Sequence, residues 1–540
     1  MKMKVLSIFV CMLLIASVLP AIGTCIDNEA ELYIEVDEEM SNARSDVDWW
    51  PMFCHGLSRR GYSNSTTPDT NDISWSFQTG GQIESKPVVM DGRVYVGSDD
   101  FNMYCLDAET GEIIWTFSTD SPIRSGAAVY EAKVYFGSYD FNVYCVDAVG
   151  NGDGTTTLIW SYETDVAEYG IYSSPAVFNG RVFIGGQDGK VYCLDAEGNG
   201  DGTTDLIWNY SFDRVTASPA IYNGRVYIGS VDGNISCLDA EGNGDGTTDL
   251  IWSYETGPSE LGVLSSPAVA ADKIYVGSND GKVYCLDAEG NGDGTTDLIW
   301  SHFIGIPGYC SPAIAYKKIY IRSYQDGVMY CLDALGNGDG TTNEIWRYTT
   351  GPSILGSTSP GVADEKVYIG SGDRKVYCLD ALGNGDGTTD LIWSYETSSA
   401  QHGVLSSPAV ANGKVYIGAF DGKLYVFGAF AELEIVSFTS GIGITFEVKN
   451  VGNADATDVE WESIIADGLF IYKRNISDAI GNIEANESKE IKIPVFGIGL
   501  GVLKDIPQIG VMISAYNAET VYKIELAKII GPFVILQEQQ

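Results

Sequence analysis

The chain has 540 residues, with 73 Asp and Glu against 32 Lys and Arg, a formal charge of −41 at neutral pH. So large an excess of negative charge repels phosphate backbones and excludes nucleic acid as a partner. It suits cations, basic partners or a salty medium, and it also suits plain solubility.

At the N-terminus, Lys2 and Lys4 precede an apolar run from Val5 to Leu19 and then Pro20-Ala-Ile-Gly23, so 1–23 reads as a secretory signal. Ile22-Gly-Thr-Cys25 is similar to a lipoprotein cleavage box, but Thr24 is a poor residue before the cysteine. Secretion is therefore expected ahead of lipidation or an uncleaved anchor, and membrane contact is expected only through this end. Residues 24–47 read as an acidic linker. No later stretch reaches about 18 unbroken apolar residues, the length a second span needs.

A unit of roughly 45 residues then recurs, the signature of a repeat architecture. Trp75, Trp115, Trp160, Trp208, Trp252, Trp300, Trp346 and Trp393 each close the same apolar run, which implies eight blades. Each complete unit holds four short segments rich in β-branched and aromatic residues, as in Ser265-Ser-Pro-Ala-Val269, Lys273-Ile-Tyr-Val-Gly-Ser278, Lys282-Val-Tyr-Cys-Leu286 and Leu298-Ile-Trp-Ser301. The last unit, ending at Leu424-Tyr-Val-Phe427, lacks its tryptophan segment, while 72–79 forms such a segment with no unit of its own. The spacing predicts that 72–79 completes the eighth blade and closes the ring, protecting edges from pairing elsewhere. The expected fold is all-β, an eight-bladed β-propeller over 48–429 followed by a β-sandwich over 430–540.

Of eleven cysteines, Cys105, Cys145, Cys193, Cys237, Cys285, Cys331 and Cys378 occupy one equivalent position in seven blades. Equivalent positions on packed sheets lie about 10 Å apart, too far for a disulfide, so they are expected as buried small hydrophobes. Cys54 and Cys310 fall outside the pattern and are free to pair. The serines before Pro-Ala at Ser173-Ser174, Ser265-Ser266 and Ser406-Ser407 recur, which marks them as structural rather than nucleophilic. His55, His302 and His402 have no metal-ligand spacing.

These repeats, with the lead-in Asp48-Trp-Trp-Pro-Met-Phe53 and Gly61-Tyr-Ser63, resemble the PQQ-like β-propeller repeat family over about 48–428. That family includes quinoprotein dehydrogenases and also propellers that bind no quinone. In the dehydrogenases the resemblance implies a quinone held between a tryptophan and a disulfide of adjacent cysteines, with calcium nearby. This chain has no Cys-Cys pair, which argues against PQQ and against an enzyme.

Six blades carry an enlarged loop in place of the first blade's Asp107-Ala-Glu-Thr-Gly111, starting at Asp147, Asp195, Asp239, Asp287, Asp333 and Asp380. Oxygen-bearing side chains alternate with glycines in three of them: Asp195, Glu197, Asn199 and Asp201; Asp239, Glu241, Asn243 and Asp245; Asp287, Glu289, Asn291 and Asp293. Such spacing is similar to the first half of an EF-hand or dockerin loop and makes calcium the expected ion. The twelfth-position glutamate is missing, and Val149, Leu335 and Leu382 replace the acid elsewhere, so plain Asn-Gly and Asp-Gly turns are the other reading.

Beyond Phe427 the repeat stops, and Phe446-Glu-Val-Lys-Asn-Val-Gly-Asn-Ala-Asp-Ala-Thr-Asp-Val-Glu-Trp461 resembles the CARDB-like, immunoglobulin-type adhesion modules. Sequons stand at Asn64, Asn209, Asn234, Asn475 and Asn486. The expectation is a secreted or cell-surface binding and scaffold protein for an extracellular protein or glycan. An extracellular PQQ-dependent dehydrogenase is the alternative. Function should reside where the repeats differ, at His55, Arg124, Tyr309, Cys310, Arg322 and His402.

Overall fold

A computed structural model describes residues 48–536 apart from 168, 352–357, 399–402, 430–432, 442, 453–455, 467–470, 473–474, 494–495, 500–507, 516–517 and 532. The signal, the linker and His402 lie outside the described residues. All regular structure among them is β-strand. Alternating valine, isoleucine and tyrosine fit a pleated surface buried on both faces, and glycine or asparagine turns end each strand early.

Eight sheets of four repeat-derived strands follow one another along the chain. Blade 5 is representative: Ala268–Ala270, Lys273–Ser278, Lys282–Asp287 and Leu298–Phe303 run from innermost to outermost, each antiparallel to the last. The innermost strand starts at Ala268, with Ser265 and Ser266 in the approach to it rather than in the strand itself. Innermost strands neighbour one another in a closed cycle, blade 8 against blade 1 included. Ile73–Gln78 pairs with Lys423–Phe427, so the first tryptophan strand completes the last blade as its spacing predicts.

The blades are locked by tryptophan. Trp115, Trp160, Trp208, Trp252, Trp300 and Trp346 are completely buried, and each indole N–H donates to an alanine carbonyl in the next blade at 3.0–3.1 Å. Trp75 closes the circle by donating to Ala108 O of blade 1 at 3.0 Å. In blade 8 the repeat ends where that loop would be, and Trp393 donates to Pro68 O instead, at 3.3 Å. The seven equivalent cysteines are buried free thiols.

Alternation of strand direction sorts the connections onto two faces. One face, the loop face, carries the turns between first and second strands and the enlarged loops between third and fourth. The other, the connection face, carries the turns between second and third strands and the links from one blade to the next. Backbone bonds tie each set together, as in Ala108 N to Gly92 O on the loop face and Ile123 N to Ser98 O on the connection face.

The lead-in segment 48–66 does something its sequence does not announce: it runs once around the inside of the ring. Trp50 pairs with Val89 of blade 1, Pro51 O accepts from Val129 of blade 2, and Leu57, Ser58 and Arg60 carbonyls accept from Ile221, Val269 and Ile314. Tyr62–Ser63 adds a parallel strand to blade 7, and Ser65 Oγ accepts from Gly413 N of blade 8. Asp48 then shuts the circuit, its carboxylate accepting from His55 Nε2 at 3.0 Å, Ser63 Oγ at 2.8 Å and Asn64 N.

Residues 433–536 form two further sheets, one of three strands and one of seven, and no described strand pairs across from the propeller. Ile444 and Phe446 from the smaller sheet and Trp461, Val511 and Ile513 from the larger share one core, giving a sandwich.

Substituting Gly290 by Ala should lower the melting temperature more than Gly292→Ala. Both have φ near +75°, but only at Gly290 would a Cβ strike the Trp252 ring, at 2.3 Å. Trp252→Ala should cost about 3–5 kcal/mol in chemical denaturation.

Candidate functional site

On the loop face the predicted calcium residues are divided among three tasks. Asp195 Oδ1 accepts from Glu197 N and Gly198 N at 2.8 and 3.0 Å, fixing the start of its own loop. Asp239 and Asp287 cap their loops in the same way. Glu197, Glu241 and Glu289 turn away to pair with Lys133, Arg181 and Arg225 of the preceding blade, at 2.7–3.2 Å. Asp201, Asp245 and Asp293 each accept from a threonine hydroxyl at 2.6 Å, which holds their carboxyls below the usual range. Asn199, Asn243 and Asn291 donate to the same threonine oxygens. Among the described residues no three His, Cys, Asp or Glu side chains are gathered to hold a metal ion.

The glycines also have a packing role. Gly198 lies against Trp160 of the preceding blade, and the Gly202 carbonyl accepts from Ser161 N on that blade's outermost strand. Each enlarged loop thus covers its neighbour's open edge.

On the connection face the repeats diverge. In the seven blades described there, one residue precedes the channel-lining pair: Glu84, Arg124, Tyr172, Thr216, Leu264, Tyr309 and Leu405. The outer serine of each pair accepts from a backbone N–H of its own blade, as in Gly185 N to Ser173 Oγ at 3.1 Å. The inner serine joins blade to blade, its hydroxyl accepting from the preceding blade at Ser174, Ser218, Ser266, Ser311, Ser359 and Ser407, at 2.8–3.0 Å. Recurrence therefore identified their structural role correctly.

Blade 1 breaks this belt with Lys86, which is 8% exposed. Its ammonium lies 4.1 Å from the centre of the Tyr172 ring and 5.7 Å from that of Phe53, and its one hydrogen bond among the described residues, to Arg124 O, is long at 3.5 Å. Burial pulls its pKa from 10.5 to about 8, against the nearby Glu84 charge. Beneath it, Arg59 is fully buried and donates to the carbonyls of Phe53, Ser174, Pro175 and Pro219 at 2.6–3.1 Å, pinning the lead-in segment across the channel. Burial lowers that guanidinium to about 10.

Above, the Tyr172 and Tyr309 rings of blades 3 and 6 meet with centroids 5.2 Å apart. Arg124 donates to both Asp99 oxygens at 2.8–2.9 Å and pairs with Glu84 at 3.1 Å. Burial pulls it down, but the Asp99 bonds and the Glu84 charge more than offset this and leave it above its ordinary value. Glu84 is raised by burial.

Of the six deviant positions, Arg124, Tyr309 and Cys310 lie on this face, and Arg322 ends a second strand at the same side, its guanidinium donating to Thr350 Oγ1, Gly351 O and Ser371 Oγ. His55 belongs instead to the lead-in circuit. Cys54 and Cys310 are not bridged: both are buried free thiols, held up at about 12 by burial. Sequence reading missed Lys86, Glu84, Tyr172 and Arg59. Aligning the repeats on the proline of Ser-Ser-Pro would have exposed Lys86, which stands before Pro87 where the other blades carry serine or glycine.

One protein-family model, described as outer membrane protein assembly factor BamB, matches residues 64–165, 145–341 and 325–431. No curated protein matches. Among solved structures, BamB from Moraxella catarrhalis is 17% identical with a TM-score of 0.53, covering 66% of this chain and 99% of its own. Quinohemoprotein alcohol dehydrogenase from Comamonas testosteroni is 16% identical with a TM-score of 0.57, covering 74% and 83%. A europium-containing methanol dehydrogenase is 14% identical with a TM-score of 0.55, covering 71% and 98%. At such identities the shared property is the fold. The quinone arrangement of the dehydrogenases does not fit these residues, because there is no adjacent cysteine pair and Cys54 and Cys310 are separate thiols.

Lys86→Met should raise the melting temperature at pH 7. A folded-state pKa of about 8 against 10.5 means the unfolded chain holds the proton longer, so wild-type stability rises with pH between those values. The gap between variant and wild type should close over that window; a gap independent of pH would show that Lys86 is not shifted.

Proposed function

The chain belongs to the family of repeat propellers described as outer membrane protein assembly factor BamB, and from that premise we propose that it is a non-enzymatic binding or scaffold protein. It acts outside the cytoplasm and holds a protein partner on the connection face. The observation that carries this reading is the contrast between the two faces. The loop face repeats one loop whose atoms lock neighbouring blades, whereas the residues at the connection-face mouth vary among Glu, Arg, Tyr, Thr and Leu in the seven blades described there. Binding surfaces are carried by variable loops on a rigid frame.

The charged groups at the mouth support binding rather than chemistry, because Arg124, Glu84 and Asp99 are paired with one another. A member of the family is by its name an assembly factor, which supports a protein rather than a glycan as partner. The C-terminal sandwich is proposed as a CARDB-like or immunoglobulin-like spacer that displays the propeller at the cell surface.

Calcium belongs to this proposal as a stabiliser of the loop face. An ion there would displace the threonine bonds of Asp201, Asp245 and Asp293. Calorimetric titration of chelator-treated protein tests it: a stoichiometric heat that falls in Asp201→Ala/Asp245→Ala supports the ion, and no heat with an unchanged melt reduces the loops to turns.

The partner face is tested with a photo-reactive phenylalanine placed at Glu260 or Asp326 on the connection face and at Asp249 on the loop face, all exposed. Cross-links to one protein species from the first two sites and none from the third are expected. Cross-links only from Asp249 would reverse the assignment.

A further inference from the structure

Large apolar side chains stand exposed on two sides of the connection face that lead inward to the same pair of tyrosines. On the link from blade 2 to blade 3, Val166 is 76% exposed and Tyr169 48%, and the same link runs inward to Tyr172. At the end of blade 5's outermost strand Phe303 is 69% exposed, and on the link that follows Ile306 is 37% exposed and the chain runs inward to Tyr309. The Tyr172 and Tyr309 rings join the two halves over the channel. Leu261, 47% exposed, lies on the link between blades 4 and 5. Isolated exposed apolar residues are ordinary, whereas several grouped on one face mark a contact surface.

A further observation specifies what the row would contact. Asp213, Asp232, Glu260 and Asp326, on the links and turns of blades 3 to 6, put exposed carboxylates beside it. Carboxylates beside exposed apolar side chains suit an extended polypeptide whose alternate side chains supply apolar groups to the row and cations to the carboxylates.

Resting on the binding reading above, we infer that this row is a docking site for an extended polypeptide segment that alternates Lys or Arg with large apolar residues. Fluorescence anisotropy on the full chain tests it, with a fluorescein-labelled peptide alternating Lys with Leu and Phe. Companion probes are the same peptide with Glu for Lys, the same with Ser for Leu and Phe, and a labelled oligosaccharide.

The Lys-containing apolar peptide should bind, and Val166→Ser/Phe303→Ser should weaken it at least about tenfold. Leu261→Ser, on a separate link, should weaken it as well. Leu250→Ser/Leu298→Ser, exposed on the loop face, should leave it unchanged. Equal binding of the Glu peptide, indifference to both connection-face variants, or binding of the oligosaccharide alone overturns the inference. If cross-links from Glu260 and Asp326 reach a partner while the peptide does not bind, this inference fails and the binding reading stands; if neither occurs, both fail.

Discussion

The indole N–H of each outermost strand has a single acceptor, a carbonyl in the next blade, and the ring is organised by that bond. A tryptophan buried to zero exposure must satisfy its one donor or lose more than the hydrogen bond returns. In six blades the acceptor is an alanine two positions before the glycine that lies flat against the same ring, so hydrogen bond and packing come from one short stretch of chain. Tyrosines of the second strand share several of these carbonyls, Tyr135 with Trp160 at Ala196 and Tyr320 with Trp346 at Ala381. Blade 8 shows how strict the requirement is: with no loop available, Pro68 of the returning lead-in supplies the oxygen.

This lock determines which parts of each repeat can vary. The enlarged loops that hold the neighbouring tryptophan and cover its strand edge keep the same Gly-Asn-Gly-Asp-Gly-Thr-Thr core in all six blades, and three of them add a glutamate that pairs the neighbour's cation. The links on the opposite face contribute only a serine or two to the seam, and they differ in length, charge and aromatic content. The same logic accounts for the acidic composition. Glu109, Glu197, Glu241 and Glu289 each pair with a lysine or arginine of the adjacent blade, so part of the negative charge contributes to the seams and the remainder is solvated.

The channel is organised differently. The lead-in circuit, held by Arg59 and shut by Asp48, fills it at the level of the innermost strands, and Tyr172 with Tyr309 covers it from the connection face. Lys86 lies between these layers, an ammonium in aromatic surroundings whose burial is only partly offset by the ring faces.

Much of this was legible in the chain itself, because a repeat reports its own fold. The tryptophan period determined the number of blades, the orphan segment 72–79 determined closure, and equivalent cysteines declared themselves unable to pair. Each of these is a statement about spacing, and spacing survives without coordinates. What only the tertiary structure decided concerns residues that act once. Segment 48–66 has no repeat and no periodicity, and its path is set by backbone groups on eight separate blades. Glu197 and Asp201 look like partners two turns apart on paper, yet one reaches the previous blade and the other a threonine of its own loop. Tyr172 and Tyr309 meet only because the ring brings blades 3 and 6 face to face, a contact between residues 137 positions apart that no local pattern encodes.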